Sequence, residues 1–164
     1  MQTYAAIIGI GVTITLVILA LGITALMCVA MWRLFRKAGL PGWAIFVPGY
    51  NMWVYYKMCW KKMWPFWSVL GCIVGSFVLS FVPIYLMYIY GYTLYYRALS
   101  VTRMLSLLIV VYVWVLSILT YVRMARAFGK GGGFAVGLIF LSPIFVPILA
   151  FGSAEYIGPE GVRD

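Results

Sequence analysis

The sequence has 164 residues, of which 66% are apolar and 9% charged, with a net charge of +9 and no histidine. A soluble domain is about 45–50% apolar and about 25% charged, so this chain could not cover its apolar surface in water. An ordinary soluble globule is excluded, and so is histidine-dependent chemistry: a Ser–His hydrolase, a His-ligated haem or a His-containing metal site.

The first 32 residues carry no charge, and Arg33, Arg36 and Lys37 then arrive within five positions. That is a membrane span closed by a basic clamp, and a span over about 4–31 is expected. No basic stretch precedes the apolar run and no small-x-small cleavage site follows it, so the segment reads as a retained span and not as a signal peptide.

Leu40–Tyr56 is uncharged and apolar, yet Pro41-Gly42 and Pro48-Gly49 interrupt it. Such steps turn the backbone, and an interfacial or re-entrant segment over 40–56 is expected. Six of the seven tryptophans, from Trp32 to Trp67, fall in this neighbourhood. Indole favours the headgroup level, which places the stretch along one membrane face with Lys57, Lys61 and Lys62. Asn51 is expected to bond to backbone exposed at the break.

Trp64–Tyr96 is free of charge and is read as one span over about 64–90, tilted or kinked at Pro83. Ser68, Cys72, Ser76 and Ser80 recur every four residues, flanked by the Gly71-x-x-x-Gly75 pair. Small residues at this spacing mark a helix-packing face, used either within the chain or in a dimer. Further on, Tyr85, Tyr88, Tyr92 and Tyr95 share one helical face. They make either an aromatic belt or a docking face for a partner or lipid.

Arg97 and Arg103 bracket a short connecting loop, and Met104–Val122 follows as a further span, about 104–122. Arg123, Arg126 and Lys130 close it and lead into Gly129–Gly133. A phosphate loop would need Ser or Thr after the Gly-Lys step and a strand before it, so this stretch is a hinge. The last apolar run, 134–151, holds Pro143 and Pro147 and is taken as a short kinked span or a second re-entrant segment. It is expected to pack against 40–56. The tail carries every acidic residue: Glu155, Glu160 and Asp164.

If 40–56 stays on the inner face, Arg33, Arg36, Lys37, Lys57, Lys61, Lys62, Arg123, Arg126 and Lys130 are all cytoplasmic, against Arg97, Arg103 and Arg163 outside. The positive-inside rule selects that threading, with four spans and both termini outside. The three cysteines, Cys28, Cys59 and Cys72, show no ligand spacing and serve as packing residues.

Two stretches carry a resemblance, RKAGLPGWAIFVPGYN and ARAFGKGGGFAVGLIFLSPIFVPILAFGSAEY. They resemble a family of small bacterial integral membrane proteins of unknown function. The matching motif positions include Pro41, Gly42, Trp43, Pro48, Asn51, Phe128, Gly129, Lys130, Pro143 and Pro147. Members are sometimes labelled signal peptidase I. That activity implies a Ser–Lys dyad on a sizeable extracytoplasmic domain, and the residues here supply no such domain.

The fold expected is an all-α membrane protein in a single domain, 1–164, with about four transmembrane helices plus one interfacial or re-entrant segment. No titratable group falls inside an expected span, no metal or other cofactor is expected, and no nucleic-acid module is recognisable. The expected partners are anionic lipid headgroups and other membrane subunits, in a bacterial plasma membrane. The functional reading is a small non-catalytic accessory or structural subunit. The alternative is a small transporter or channel whose broken segments, 40–56 and 134–151, line the path.

Overall fold

The computed structural model describes residues 2–162, and the secondary structure within them is helical throughout. α1, Gln2–Lys37, is 36 residues long, about 54 Å of helix. The hydroxyls of Thr13, Thr15 and Thr24 donate to the Gly9, Gly11 and Ala20 carbonyls at 2.8–2.9 Å. The helix therefore offers lipid no unpaired donor along that stretch. It stops at Gly39, whose φ of +69° suits glycine. Gly39 N–H donates to Arg36 and Leu40 N–H to Phe35, a Schellman closure.

The chain then doubles back along the end of α1. A 3-10 helix, Gly42–Phe46, lies under the Trp32 indole, and Phe46 meets that ring edge-on at 5.8 Å. A Cβ at position 42 would sit 2.7 Å from Trp32 Nε1, so only glycine fits. Gly49, at φ +81°, turns the chain into α2, Tyr50–Cys59.

α3, Trp64–Tyr90, and α4, Tyr92–Ala127, form an antiparallel pair joined by Gly91 alone, at φ +78°. Phe66, Val69 and Pro83 are buried and Cys72, Ser76, Leu79 and Leu86 half-buried. Their three-and-four spacing marks the seam that meets α4. Pro83 does not end α3.

After α4 closes at Gly129 with the same Schellman pattern (Gly129 N–H to Arg126, Lys130 N–H to Ala125), the chain makes a helical hairpin. α5, Gly132–Phe140, lies on α4, and α6, Ser142–Phe151, lies on α1. The break is Leu141, at φ −128° and ψ 42°. Gly137 leaves room for the Phe145 ring, which also packs on Phe134 at 5.1 Å. Each arm is only about 14–15 Å long, roughly half a hydrocarbon core. The tail returns across the end of α4, with Ile157 N–H on the Ala127 carbonyl at 2.8 Å and the Tyr156 hydroxyl on Met58 O at 2.9 Å.

Several expectations need correction. Among the described residues three helices, α1, α3 and α4, are long and apolar enough to cross a membrane, the build of a membrane-embedded protein. The run 134–151 is not one continuous helix: it is a hairpin of two short helices broken at Leu141, and both its ends lie where α1 and α4 finish. It packs on α1 and α4 and not on α2. Residues 152–162 lie beside the end of α4, at the other end of the molecule from Gln2. The expected loop 97–103 is helical, and the span set at 104–122 is the 36-residue α4. About 20 helical residues separate Arg103 from Arg123, close to 30 Å, the thickness of a hydrocarbon core.

The core gathers at the basic end. Leu34 and Phe35 of α1, Val54 and Met58 of α2, Met124 of α4, Leu138 of α5 and Leu149 of α6 are fully buried there. From Gly9 to Leu26, by contrast, every residue of α1 is exposed. Among the described residues α1 packs on α2, α6 and the 3-10 helix, and not on α3 or α4. The molecule is two apolar prongs held apart at one end by a wedge of broken segments.

Candidate functional site

Where the prongs meet the wedge there is a cavity of about 400 Å³. α1 lends it Met27 and Met31, which face it because they are one helical turn apart. α2 contributes Asn51, Met52, Tyr55 and Tyr56 from its first two turns, next to the Pro48-Gly49 turn. α4 contributes Ser117, Thr120, Tyr121 and Met124. The tip of the α5–α6 hairpin adds Ser142 and Val146. Both broken segments therefore reach the same space, and no charged residue lines it.

Most of its polar groups are already satisfied. Ser117 donates to Val113 O at 2.8 Å and Ser142 to Leu138 O. Thr120 donates to Leu116 O at 2.7 Å and accepts from Trp60 Nε1 at 3.1 Å. Asn51 Nδ2 reaches the Ile45 carbonyl only at 3.5 Å, the outer limit of a hydrogen bond, so its link to the broken backbone is slight. Tyr55 and Tyr121 make no hydrogen bond among the described residues. Burial, and then the neighbouring Cys59, Tyr121 and Tyr56, raise the Tyr55 phenol well above its ordinary value. It stays a donor. Burial likewise pushes the Cys59 thiol up, only partly opposed by Arg123, so Cys59 is not poised as a thiolate.

Two polar clamps hold the cavity's walls. Arg123 stacks on Trp60 at 3.6 Å and pairs with Glu160 of the tail. The Lys37 ammonium donates to the carbonyls of Leu149, Gly152 and Ala154 at 3.0, 2.7 and 3.1 Å, capping the end of α6. Cations at a helix C-terminus are favoured by its orphan carbonyls and dipole. The sequence reading missed both clamps. Their signal was the placement of acids in the tail alone, and a lysine just before a helix stop.

The other expected site residues are distributed unevenly. Pro41 precedes the 3-10 helix and Gly42 is buried beneath Trp32. Trp43 is exposed and stacks on Tyr50 at 5.3 Å, and Tyr50 on Trp53 at 5.6 Å, with Lys57 over Trp53. Phe128 is buried against Tyr156 at 5.4 Å. Gly129 and Lys130 form the α4 stop, and Pro143 and Pro147 belong to α6.

In α3, Ser68, Cys72, Gly75 and Ser76 are half-buried, whereas Gly71 and Ser80 are exposed. A Cβ at Gly71 or Gly75 would meet nothing within 4 Å, so these glycines bring no helix of this chain close. The tyrosine face is divided by Gly91. Tyr85 and Tyr88 end α3, Tyr92 and Tyr95 begin α4, and Tyr88 is 89% exposed.

No group of three or more His, Cys, Asp or Glu side chains is placed to hold a metal among the described residues. Residues 78–159, half of the chain, match the model of a family described as a family of unknown function. The matched stretch takes in the end of α3, α4, the α5–α6 hairpin and most of the tail. No curated protein and no solved structure matches the chain.

Proposed function

The chain belongs to the DUF5684 family of unknown function, and from that premise we propose that it is a non-catalytic subunit of a membrane protein complex. One observation carries the reading: α1 is exposed from Gly9 to Leu26 and stands clear of α3 and α4. A single apolar helix gains little by standing alone, because helix association in lipid comes from close packing. In this reading helices of another subunit fill the space beside α1, which the wedge keeps clear of α3 and α4. The basic end, with nine Lys and Arg, faces the cytoplasm of a bacterial plasma membrane in this reading and touches anionic headgroups.

A photo-crosslinking residue at Leu19, with native purification in mild detergent, tests it. The expected result is a discrete complex in which position 19 labels the same co-purifying membrane protein. A chain that migrates alone, with only lipid adducts at position 19, overturns the reading, and an adduct with a second copy of itself replaces it by a homo-oligomer.

A second reading, a small transporter, is favoured by the convergence of Pro48, Asn51, Ser142 and Val146 on one cavity, since broken segments often build substrate sites. The uncharged lining favours a neutral solute, and flux of such a solute into proteoliposomes would distinguish it.

A further inference from the structure

The cavity between α1, α2, α4 and α6 has the size of a small-molecule site, and its chemistry is selective. Met27, Met31, Met52 and Met124 make its apolar wall. Thioether side chains adapt to irregular apolar shapes. The hydroxyls of Ser117, Thr120 and Ser142 are spent on their own helices. What remains are the phenols of Tyr55 and Tyr121, which line the cavity without a hydrogen bond among the described residues, beside the loosely held Asn51 amide and the Tyr56 phenol engaged by Thr120.

Unspent donors in an apolar cavity, the two phenols foremost, ask for an acceptor oxygen. A carboxylate or phosphate is excluded, because no cation lines the space and burying an unpaired anion is prohibitive. Above Met27 the facing surfaces of α1 and α4 do not pack together, which leaves a lateral route to the cavity from the gap between the prongs.

We propose that this cavity binds a neutral, lipid-dissolved molecule whose carbonyl oxygen accepts hydrogen bonds from Tyr55 and Tyr121. Two sources share that chemistry, a quinone with an apolar tail and an ester-bearing diacylglycerol. The site does not depend on the subunit reading, since it is complete within one chain.

The test is photolabelling of the purified full chain in nanodiscs. The probes are a diazirine-bearing, decyl-tailed benzoquinone and, separately, a diazirine-bearing diacylglycerol, each competed by its untagged form. The expected result is saturable labelling of the peptides holding Tyr55 or Tyr121. Tyr55→Phe keeps the volume and should raise the half-saturating concentration about fivefold, the worth of one hydrogen bond. Met31→Trp should fill the cavity and abolish labelling, while Tyr85→Phe at the far end changes nothing. Saturation by the quinone alone identifies an aromatic dicarbonyl ligand, and by the diacylglycerol alone an ester lipid. Labelling by neither probe, labelling that is not competed, or labelling undiminished in Tyr55→Phe overturns the proposal.

Discussion

The guanidinium of Arg123 lies 3.6 Å from the centre of the Trp60 ring, and that contact ties three parts of the chain together. Trp60 follows α2, Arg123 stands near the end of α4, and Glu160 brings the tail onto the same guanidinium. The indole N–H of Trp60, itself only 3% exposed, is satisfied by Thr120. The wedge is thus fastened to α4 by a stacked cation and a buried hydrogen bond.

These contacts differ in worth. Thr120→Val keeps the shape but leaves a buried N–H unpaired, which costs about 1–3 kcal/mol. Glu160→Gln removes one partner of a partly exposed ion pair, worth about 1 kcal/mol or less. Thermal unfolding in detergent should show Thr120→Val as the more destabilised of the two. The reverse order would mean that the tail, and not the indole, holds the wedge.

Lys37 is expected to matter for the α6 end and not for α1, whose last turn is closed by Gly39 and Leu40 backbone bonds. Lys37→Met leaves the carbonyls of Leu149, Gly152 and Ala154 without their charged donor. The loss should be about 2 kcal/mol locally, read as faster amide exchange over residues 149–157. Unchanged exchange there would show that water replaces the ammonium without loss.

The glycines separate into those pressed by a neighbour and those that are free. Gly42 lies under Trp32 and Gly137 under Phe145, whereas Gly71 and Gly75 face open space. Gly42→Ala and Gly137→Ala should each lower thermal stability of the isolated protein, by the roughly 1–3 kcal/mol typical of overpacking. Gly75→Leu should leave the isolated protein as stable as the parent. Lower stability of Gly75→Leu in the lone chain would place a packing contact on that face after all.

The charge pattern made most of this fold legible. The basic clusters mark where α1 and α4 finish, and Pro41-Gly42 and Pro48-Gly49 mark where the next segment breaks. Depth was the harder matter. Arg97 and Arg103 read as a loop because charges interrupt an apolar run, yet nothing in RALSVTR stops a helix, so α4 runs through it. The small-residue stripe in α3 was visible, but spacing alone does not say whether the partner lies in the same chain. The cavity was hidden because its residues come from four elements far apart in sequence. Only Pro48, Gly49 and Asn51 of its lining stood out, and Asn51 for a backbone bond that proves slight.

The hairpin at α5–α6 makes a prediction about the path of the chain through a bilayer. With arms of about 14–15 Å and both ends beside the final turns of α1 and α4, residues 132–151 should dip into one leaflet and return. Ser153 should therefore share a side with Lys61, and Thr93, beside the Gly91 turn, should lie on the other. In a background lacking Cys28, Cys59 and Cys72, single cysteines at 61, 93 and 153 can be labelled with an impermeant maleimide on right-side-out and inverted vesicles. Positions 61 and 153 should label together in inverted vesicles and position 93 in right-side-out ones. Labelling of 153 together with 93 would restore a fourth crossing, and the α5–α6 arms would then have to straighten at Leu141 to span a thickness that neither reaches alone.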